Sequence, residues 1–406
     1  MRNSKNHLDQ KLDKQMIRKT EGDTQFYLYK DDEKAIPSKA MDVFYNEKMV
    51  INRDLSCLGV LAYNKLFNKD KLRIVDCMAA SGIGALRFLK ECENIDKIVI
   101  NDINPSAVAL IKDNLKLNEL ESEKIFVTQK DANQLLLELA RDNPNVINID
   151  PFGTPNLYVD AAFKAIQKKN GLVCVTATDT AVLFGIRPHV CIRKYMSKPL
   201  HVEYTKEIGA RILLYFISRI ANINKLGITP LLTFYSNHFI RIFALTFKSK
   251  EKITKSFSNY GYIIHCRECG FRTSQTINPI ETIVLCPSCE NKKSLTYAGP
   301  LWVGAIHDST FLHHVIAENN ARYYKSKKKI EKLLNFGLQE NAMPVSFYNL
   351  HKLCRALKCS SVPKIEQVIQ IIKEFEYEAT RTHFDPLSIK TDISIENLKK
   401  IILKIT

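Results

Sequence analysis

The chain has 406 residues, 45% hydrophobic and 25% charged, which is enough apolar material for two or three packed cores and excludes a disordered tail protein. No apolar run reaches the roughly 18 to 20 residues a membrane helix needs, because Arg211 and Arg219 interrupt the most apolar stretch, Ile208 to Ile223. The net charge of +16 is unevenly placed: residues 1–150 carry 23 basic and 24 acidic side chains, residues 151–250 carry 14 and 4, and residues 251–406 carry 22 and 15. A neutral first part with a basic remainder suits a small ligand bound early in the chain and a polyanion bound by the rest. Met1 to Thr20 is polar, carries Asp9 and Asp13 and lacks an apolar centre, which argues against a secretory signal. Eleven cysteines, four of them in two tight pairs, suit a reducing compartment with one metal site, and a cytoplasmic location is expected.

In chain order, residues 1–55 are expected to form a segment outside the main sheet that covers a ligand site. From Arg73 to Lys250 short apolar runs alternate with helical patterns, the mark of a mostly parallel sheet covered on both faces. The expected strands are Arg73 to Met78, Lys97 to Ile103, Lys124 to Gln129, Val146 to Asp150 and Leu172 to Thr176. Expected helices follow at Gly84 to Cys92, Pro105 to Leu117, Ala132 to Arg141, Pro155 to Lys168 and Glu203 to Ile223. Pro230 to Tyr235 and Arg241 to Phe247 are too close for a helical crossover and should pair as a hairpin. Residues 56–250 thus read as a doubly wound α/β domain of the class I methyltransferase kind. Residues 251–406 read as a C-terminal α+β domain: short strands around paired cysteines, then helices, then a small winged α/β module from about 345 to 406.

The segment from Asp76 to Gly84 follows a strand and opens a helix, so Gly82 and Gly84 fall where backbone passes close to a ligand at a helix N-terminus. Asp102, at the end of the next strand, can take both hydroxyls of a ribose, and Asp131 with the N–H of Ala132 can read an adenine edge. There is no phosphate-binding loop, and Arg87 breaks the dinucleotide glycine pattern. These features favour S-adenosylmethionine, whose sulfonium has no phosphates to cradle and is tolerated beside a carboxylate such as Asp76.

Asp150, Pro151, Phe152 and Gly153 lie at the end of the fourth strand, in the crevice where ligands of such sheets bind. An exocyclic base amine is a poor nucleophile. Asp150 can accept one of its N–H groups, a carbonyl near Pro151 the other, while Phe152 stacks on the base. Cys266-x-x-Cys269 and Cys286-x-x-Cys289 are two knuckles that leave no open metal position, so the expected role is structural, with Zn²⁺ as the metal and an iron site of the same ligands as the alternative.

With these residues in place, the sequence resembles the tRNA (guanine-26-N2)-dimethyltransferase family in its compact archaeal form, from about Glu21 to the C-terminus. Matching segments include Val43 to Asn46, Asn52 to Asp54, Asp150 to Gly153, Thr176 to Asp179, Cys191 with Arg193 to Tyr195, Gly299 to Trp302 and Tyr377 to His383. The resemblance implies two methyl transfers from S-adenosylmethionine to guanine N2, with Arg53, Asp102, Asp131 and Ala132 at the cofactor. It implies Asp150 and Phe152 at a flipped guanine and Phe44 as a second stacking face. The C-terminal half becomes a tRNA-binding domain, with Arg193, Lys194, Arg381 and His383 expected to contact tRNA, and the enzyme is expected to be a monomer. The sequence departs from the family at Gly84, where an arginine is usual, and at Glu47 and Val182, where prolines are; Arg87 is the candidate to replace that arginine. Competing readings are an adenine N6 or cytosine N4 methyltransferase, and a zinc-stapled RNA-binding module that has lost activity.

Overall fold

The computed structural model describes residues 15–33, 41–277 and 283–406. Residues 1–14, most of the stretch read as no secretory signal, and residues 34–40 of the expected covering segment lie outside the described ones.

The described chain opens with an antiparallel hairpin, β1 (Met16–Glu21) and β2 (Thr24–Tyr29), and a short helix α1 (Lys30–Glu33). A 3-10 turn, Glu47–Met49, then leads into α2 (Val50–Phe67). The central sheet begins at β3 (Leu72–Asp76) and alternates strands and helices as α3 (Ile83–Glu91), β4 (Ile95–Asn101), α4 (Pro105–Leu117), β5 (Ile125–Thr128), α5 (Ala132–Glu138), β6 (Val146–Ile149), α6 (Val159–Ala165) and β7 (Leu172–Ala177). Two short helices, α7 (Thr180–Leu183) and α8 (Pro188–Tyr195), precede α9 (Thr205–Ile223) and the hairpin β8 (Gly227–Ser236) and β9 (Phe239–Phe247). The seven strands run in the order β5-β4-β3-β6-β7-β9-β8, the first five parallel and the last two antiparallel to their neighbours. That is the expected sheet, with element ends shifted by a few residues.

Strands β6 and β7 are buried throughout because both faces of the sheet are covered, which is why they read as unbroken apolar runs. One face packs on α5, α6 and α9, the other on α2, α3 and α4. Helix α2 was not expected. Its apolar residues run almost all round, leaving no 3.6-residue stripe to reveal it. The expected helix from Pro155 shortens to α6, because residues 150–158 are held as a loop at the end of β6.

Beyond the sheet, α10 (Lys250–Ser256) leads to a three-stranded sheet of β10 (Tyr260–Cys266), β11 (Arg272–Thr276) and β12 (Leu295–Trp302). Helices α11 (Ser309–Asn320) and α12 (Lys327–Glu340) return to the sheet, where Phe311, Leu312 and Ile330 join the core under α2. The last unit holds β13 (Tyr348–Asn349), α13 (Leu350–Leu357), α14 (Ile365–Glu374), β14 (Ala379–Arg381), β15 (Ser388–Thr391) and α15 (Ile395–Ile405), with a core of its own. A buried ionic cluster fastens it to α9: Glu207 accepts from Arg211 Nε at 2.9 Å and from Lys390 Nζ at 2.7 Å, while Arg211 also donates to the Trp302 and Gly304 carbonyls. These cations overcome the opposing effect of burial and hold the Glu207 carboxyl below its usual range.

Candidate active site

The C-terminal ends of β3 and β6, the loop before α2 and the β8–β9 turn enclose one cleft. Its walls include Phe44, Asn46, Arg53, Asp76, Ala80, Gly84, Asp150, Pro151, Phe152, Thr178 and His238. Sequence positions nearly two hundred residues apart therefore share a single cavity.

At the inner end, Asp76 closes β3 and its Oδ1 accepts from Asn148 Nδ2 at 2.9 Å. Burial pushes its carboxyl up to about 7; the charges of Asp150 and Asp102 add to this, while Asn148 and Arg241 oppose it. Asp102 organises the neighbouring turn, its two oxygens accepting from the Ala80 and Asn104 N–H groups at 2.8 and 2.9 Å. Gly82 sits at φ +80°, and a Cβ there would meet Ile111 Cγ1 at 2.9 Å, so its glycine serves the turn. Gly84 is different: a Cβ would meet only Asp76 Oδ2, at 3.5 Å, and the residue lines the cleft. Asp131 caps α5, accepting from the Asn133 and Gln134 N–H groups, and lies with Ala132 one strand beyond Asp102, outside the cleft lining.

Arg53 reaches the cleft from α2 and is clamped by Glu21 of the N-terminal hairpin at 2.6 and 2.7 Å. The hairpin is held in turn by Asn114 of α4 and Asn118 just past its end, whose side chains bond the backbone of Tyr27 and Gln25. Arg87 does not replace the missing arginine. It is fully buried, bonded to Glu21, Asp54 and Glu91, and capped by the Tyr324 ring, so it ties the hairpin, α2, α3 and the segment before α12 together.

At the outer end, Asp150 Oδ2 accepts from Asn52 Nδ2 at 2.9 Å. Gly153, at φ +106°, lets the loop turn back, and its N–H donates to Thr178 Oγ1 at 2.8 Å while the Thr178 N–H donates to its carbonyl. The loop is thereby pinned to the end of β7. Phe152 is 49% exposed and meets Phe44 edge-on, with ring centroids 5.4 Å apart. Beneath both ends lies Arg241 of β9, wholly buried, donating to Thr176 Oγ1, Ser56 Oγ and Asn148 Oδ1 at 2.8 to 2.9 Å. Asn148 and Asn52 carry that network to Asp76 and Asp150. Sequence reasoning did not single out Arg241, Asn148 or His238. Nothing local marks them, because each acts across strands that only the folded sheet brings together.

The four cysteines converge. Cys266 Sγ lies 3.7 Å from Cys289 Sγ and Cys269 Sγ 3.5 Å from Cys286 Sγ. A tetrahedron with zinc–sulfur bonds of about 2.3 Å has edges of about 3.8 Å, so the set fits a thiolate-bound metal. Burial opposes ionisation of Cys269, but hydrogen bonds from Ser288 and the Phe271 N–H bring its thiol down to about 7.

His307, Glu340 and His383 form another potential ligand set, buried between α12 and the last sheet. Here the chemistry disagrees with a metal. Thr233 N–H donates to His307 Nδ1 at 3.4 Å, which leaves the proton on Nε2, and the charges of Lys390 and Arg211 bear on the same ring. His383, expected to face tRNA, is turned inward to Glu340 with its side chain 1% exposed. Of the other expected RNA contacts, Arg193 is exposed, Lys194 pairs with Asp179 at 3.3 Å, and Arg381 pairs with Glu366 at 3.5 Å. Among the described residues no helix is long and apolar enough to cross a membrane.

Residues 23–403 match the sequence model of the N2,N2-dimethylguanosine tRNA methyltransferases. The chain belongs to that family. It is 37% identical over 361 residues to the tRNA (guanine(26)-N(2))-dimethyltransferase of Methanobrevibacter smithii, covering 89% of this chain and 91% of that one. It is 34% identical over 378 residues to the enzyme of the same name from Methanocaldococcus jannaschii, covering 92% and 96%. The solved complex of Trm1 from Pyrococcus horikoshii with S-adenosyl-L-methionine superposes with a TM-score of 0.81 at 31% identity, covering 95% of this chain and 99% of that one. The family is the one the sequence motifs resemble, and its fold is the one they imply.

Proposed function

We propose that this chain transfers methyl groups from S-adenosylmethionine to the exocyclic N2 of guanine 26 in tRNA, giving N2-methyl- and then N2,N2-dimethylguanosine. The observation that carries this reading is one cleft with an acidic, glycine-floored inner end and, at its outer end, a carboxylate oriented by Asn52 beside two aromatic rings.

The candidate cofactor residues are Arg53, Asp76 and Gly84 in the cleft lining, with Gly82, Asp102, Asp131 and Ala132 on the neighbouring turns outside it. The open position at Gly84 and the apolar walls of Met78, Ala79 and Phe88 suit an adenosyl ligand with a cationic centre beside Asp76. S-adenosylmethionine supplies, when bound, an electrophilic methyl on its sulfonium. Asp150 accepts one N–H of the target amine, keeps its lone pair directed inward and takes up the proton as the N–C bond forms; Pro151 fixes the bend that aims the carboxylate. Acid–base assistance of this kind contributes about 10² to 10⁴ in rate. Phe44 and Phe152 stack on the flipped base. Their rings stand 5.4 Å apart. A base between them needs about 7 Å, two van der Waals layers, so one ring swings aside as the base enters.

Zinc at Cys266, Cys269, Cys286 and Cys289 staples the β10–β12 sheet, and the basic half beyond Asp150, including Arg193, Lys194 and Arg381, binds the tRNA backbone. A cytoplasmic site of action is supported by eleven cysteines, none of them in a disulfide. The test is incubation with S-adenosylmethionine and an unmodified tRNA transcript, followed by nucleoside mass spectrometry. N2-methylated guanosine is expected; methyl groups on adenosine or cytidine would select the other amine methyltransferases, and no product with tRNA bound would select an inactive module.

A further inference from the structure

His238 stands at the tip of the β8–β9 hairpin, whose closing pair is Ser236 and Phe239, and it lines the cleft together with Phe44, Asp150, Phe152 and Thr178. It belongs to no motif of the sequence. Its setting nevertheless fixes its chemistry. The N–H of Lys48 donates to Asn46 Oδ1 at 2.9 Å, so the amide group of Asn46 must turn its Nδ2 end toward the imidazole. Asn46 Nδ2 lies 3.1 Å from His238 Nε2 and can only donate, which makes Nε2 the acceptor and places the ring proton on Nδ1. Burial, and after it the charge of Lys48, hold the imidazole below its usual range, so this neutral tautomer is the one present at neutral pH. Asn237 secures the turn by donating to the Lys48 carbonyl at 3.1 Å.

The cleft therefore offers an acceptor, Asp150, and a neutral donor of fixed tautomer, His238, on the walls that surround the two aromatic rings. Guanine presents the complementary edge: a donating amine at N2 and an accepting oxygen at O6. Adenine and cytosine carry an amine where guanine has O6, and a donor facing a donor is left unpaired and desolvated, which costs more than a missing bond. We propose that His238 reads O6 of the target guanine through its Nδ1–H and is a specificity-determining residue of the base pocket. This rests on the guanine N2 reading above.

The test compares methylation of tRNA carrying guanine or 6-thioguanine at the target position; the thio base keeps the N1–H and N2 amine but replaces O6 with a weak acceptor. Wild-type enzyme should prefer guanine by about tenfold in kcat/KM, the size of one ordinary hydrogen bond. His238→Ala should lose about tenfold on guanine and little on the thio base, erasing the preference, while His238→Gln, which keeps an N–H, should restore part of it. Cofactor binding by each variant, measured alone, should equal wild type and reports an intact fold. A wild-type enzyme indifferent to the thio base, or a His238→Ala enzyme that still prefers guanine, overturns the assignment to His238. Wild-type enzyme that methylates neither tRNA overturns the guanine reading, and this assignment with it.

Discussion

Asn52, near the start of α2, donates to Asp150 Oδ2 at 2.9 Å across 98 residues of sequence. A residue that precedes the whole sheet thus sets the direction of the carboxylate that follows its fourth strand; in the proposed mechanism the other oxygen takes the substrate amine. Asp150→Ala should keep tRNA and cofactor binding and lose about two or more orders of magnitude in turnover. Asn52→Ala should lose less, through kcat rather than KM, because the carboxylate stays but is free to rotate. Single-turnover rates with nucleoside analysis decide both; near-normal turnover of Asp150→Ala would remove that residue from the chemistry.

Asp76 has its carboxyl near 7. A cation bound beside it favours its ionised form, so affinity for the sulfonium donor should rise as pH climbs from 6 to 8, while affinity for the uncharged thioether product should stay flat. Calorimetry with both ligands at several pH values measures this. Asp76→Asn should make the two profiles parallel, and a wild-type ratio independent of pH would contradict the assignment.

Removing Arg87 takes the guanidinium away from two buried carboxylates, Asp54 and Glu91, while Glu21 keeps Arg53. Arg87→Met should cost about 3 to 5 kcal/mol in denaturant unfolding, the range for breaking a buried ion pair. A loss below 1 kcal/mol would mean the cluster relaxes without it.

Chelation should lower the melting temperature and loosen residues 257–300, while S-adenosylmethionine affinity is unchanged, since the four thiols lie outside the cleft. Cys269→Ser should reproduce the effect of the chelator. Unchanged melting under both treatments would show that the cysteines hold no metal.

Burial, aided by His383, holds the His307 imidazole down to about 3, against an unfolded value of 6.5. The folded state therefore binds fewer protons there, and its stability should fall as pH drops from about 6.5, by at most about 1.4 kcal/mol per pH unit for this group. Glu340 adds to the loss below about 4.5: burial raises its carboxyl, but His383 and Lys390 outweigh this and bring it to about 2. Unfolding followed from pH 7 to 4 should show a shallower slope in His307→Gln than in wild type.

The sheet was legible because β6 and β7 carry the unbroken apolar runs that two-sided burial demands, and because Asp76 closes β3 while Asp102 and Asp150 directly follow β4 and β6. Helix α2 was not, because uniform burial erases the period that betrays a helix. The site divides the same way. Motif residues declare themselves locally, whereas Arg241, Asn148 and His238 matter through partners 93, 72 and 192 positions away, and a single chain carries no mark of such distances. His383 was expected to contact RNA as part of the family-like segment Tyr377 to His383; only the placement of Glu340 on α12 shows that it is interior.

Arg241, the buried anchor beneath Asp76 and Asp150, also bears on the order in which the protein comes into being. Residues 44–56 are made early on the ribosome, yet their places are fixed by contacts to Asp150, Thr176, His238 and Arg241, all synthesised later. That early segment must therefore wait for the hairpin of β8 and β9 before it can settle. A nascent chain stopped ahead of Phe239 should hold the five parallel strands of the central sheet and no finished pocket, so that binding competence arrives late and in one step, well after the parallel sheet has begun to form.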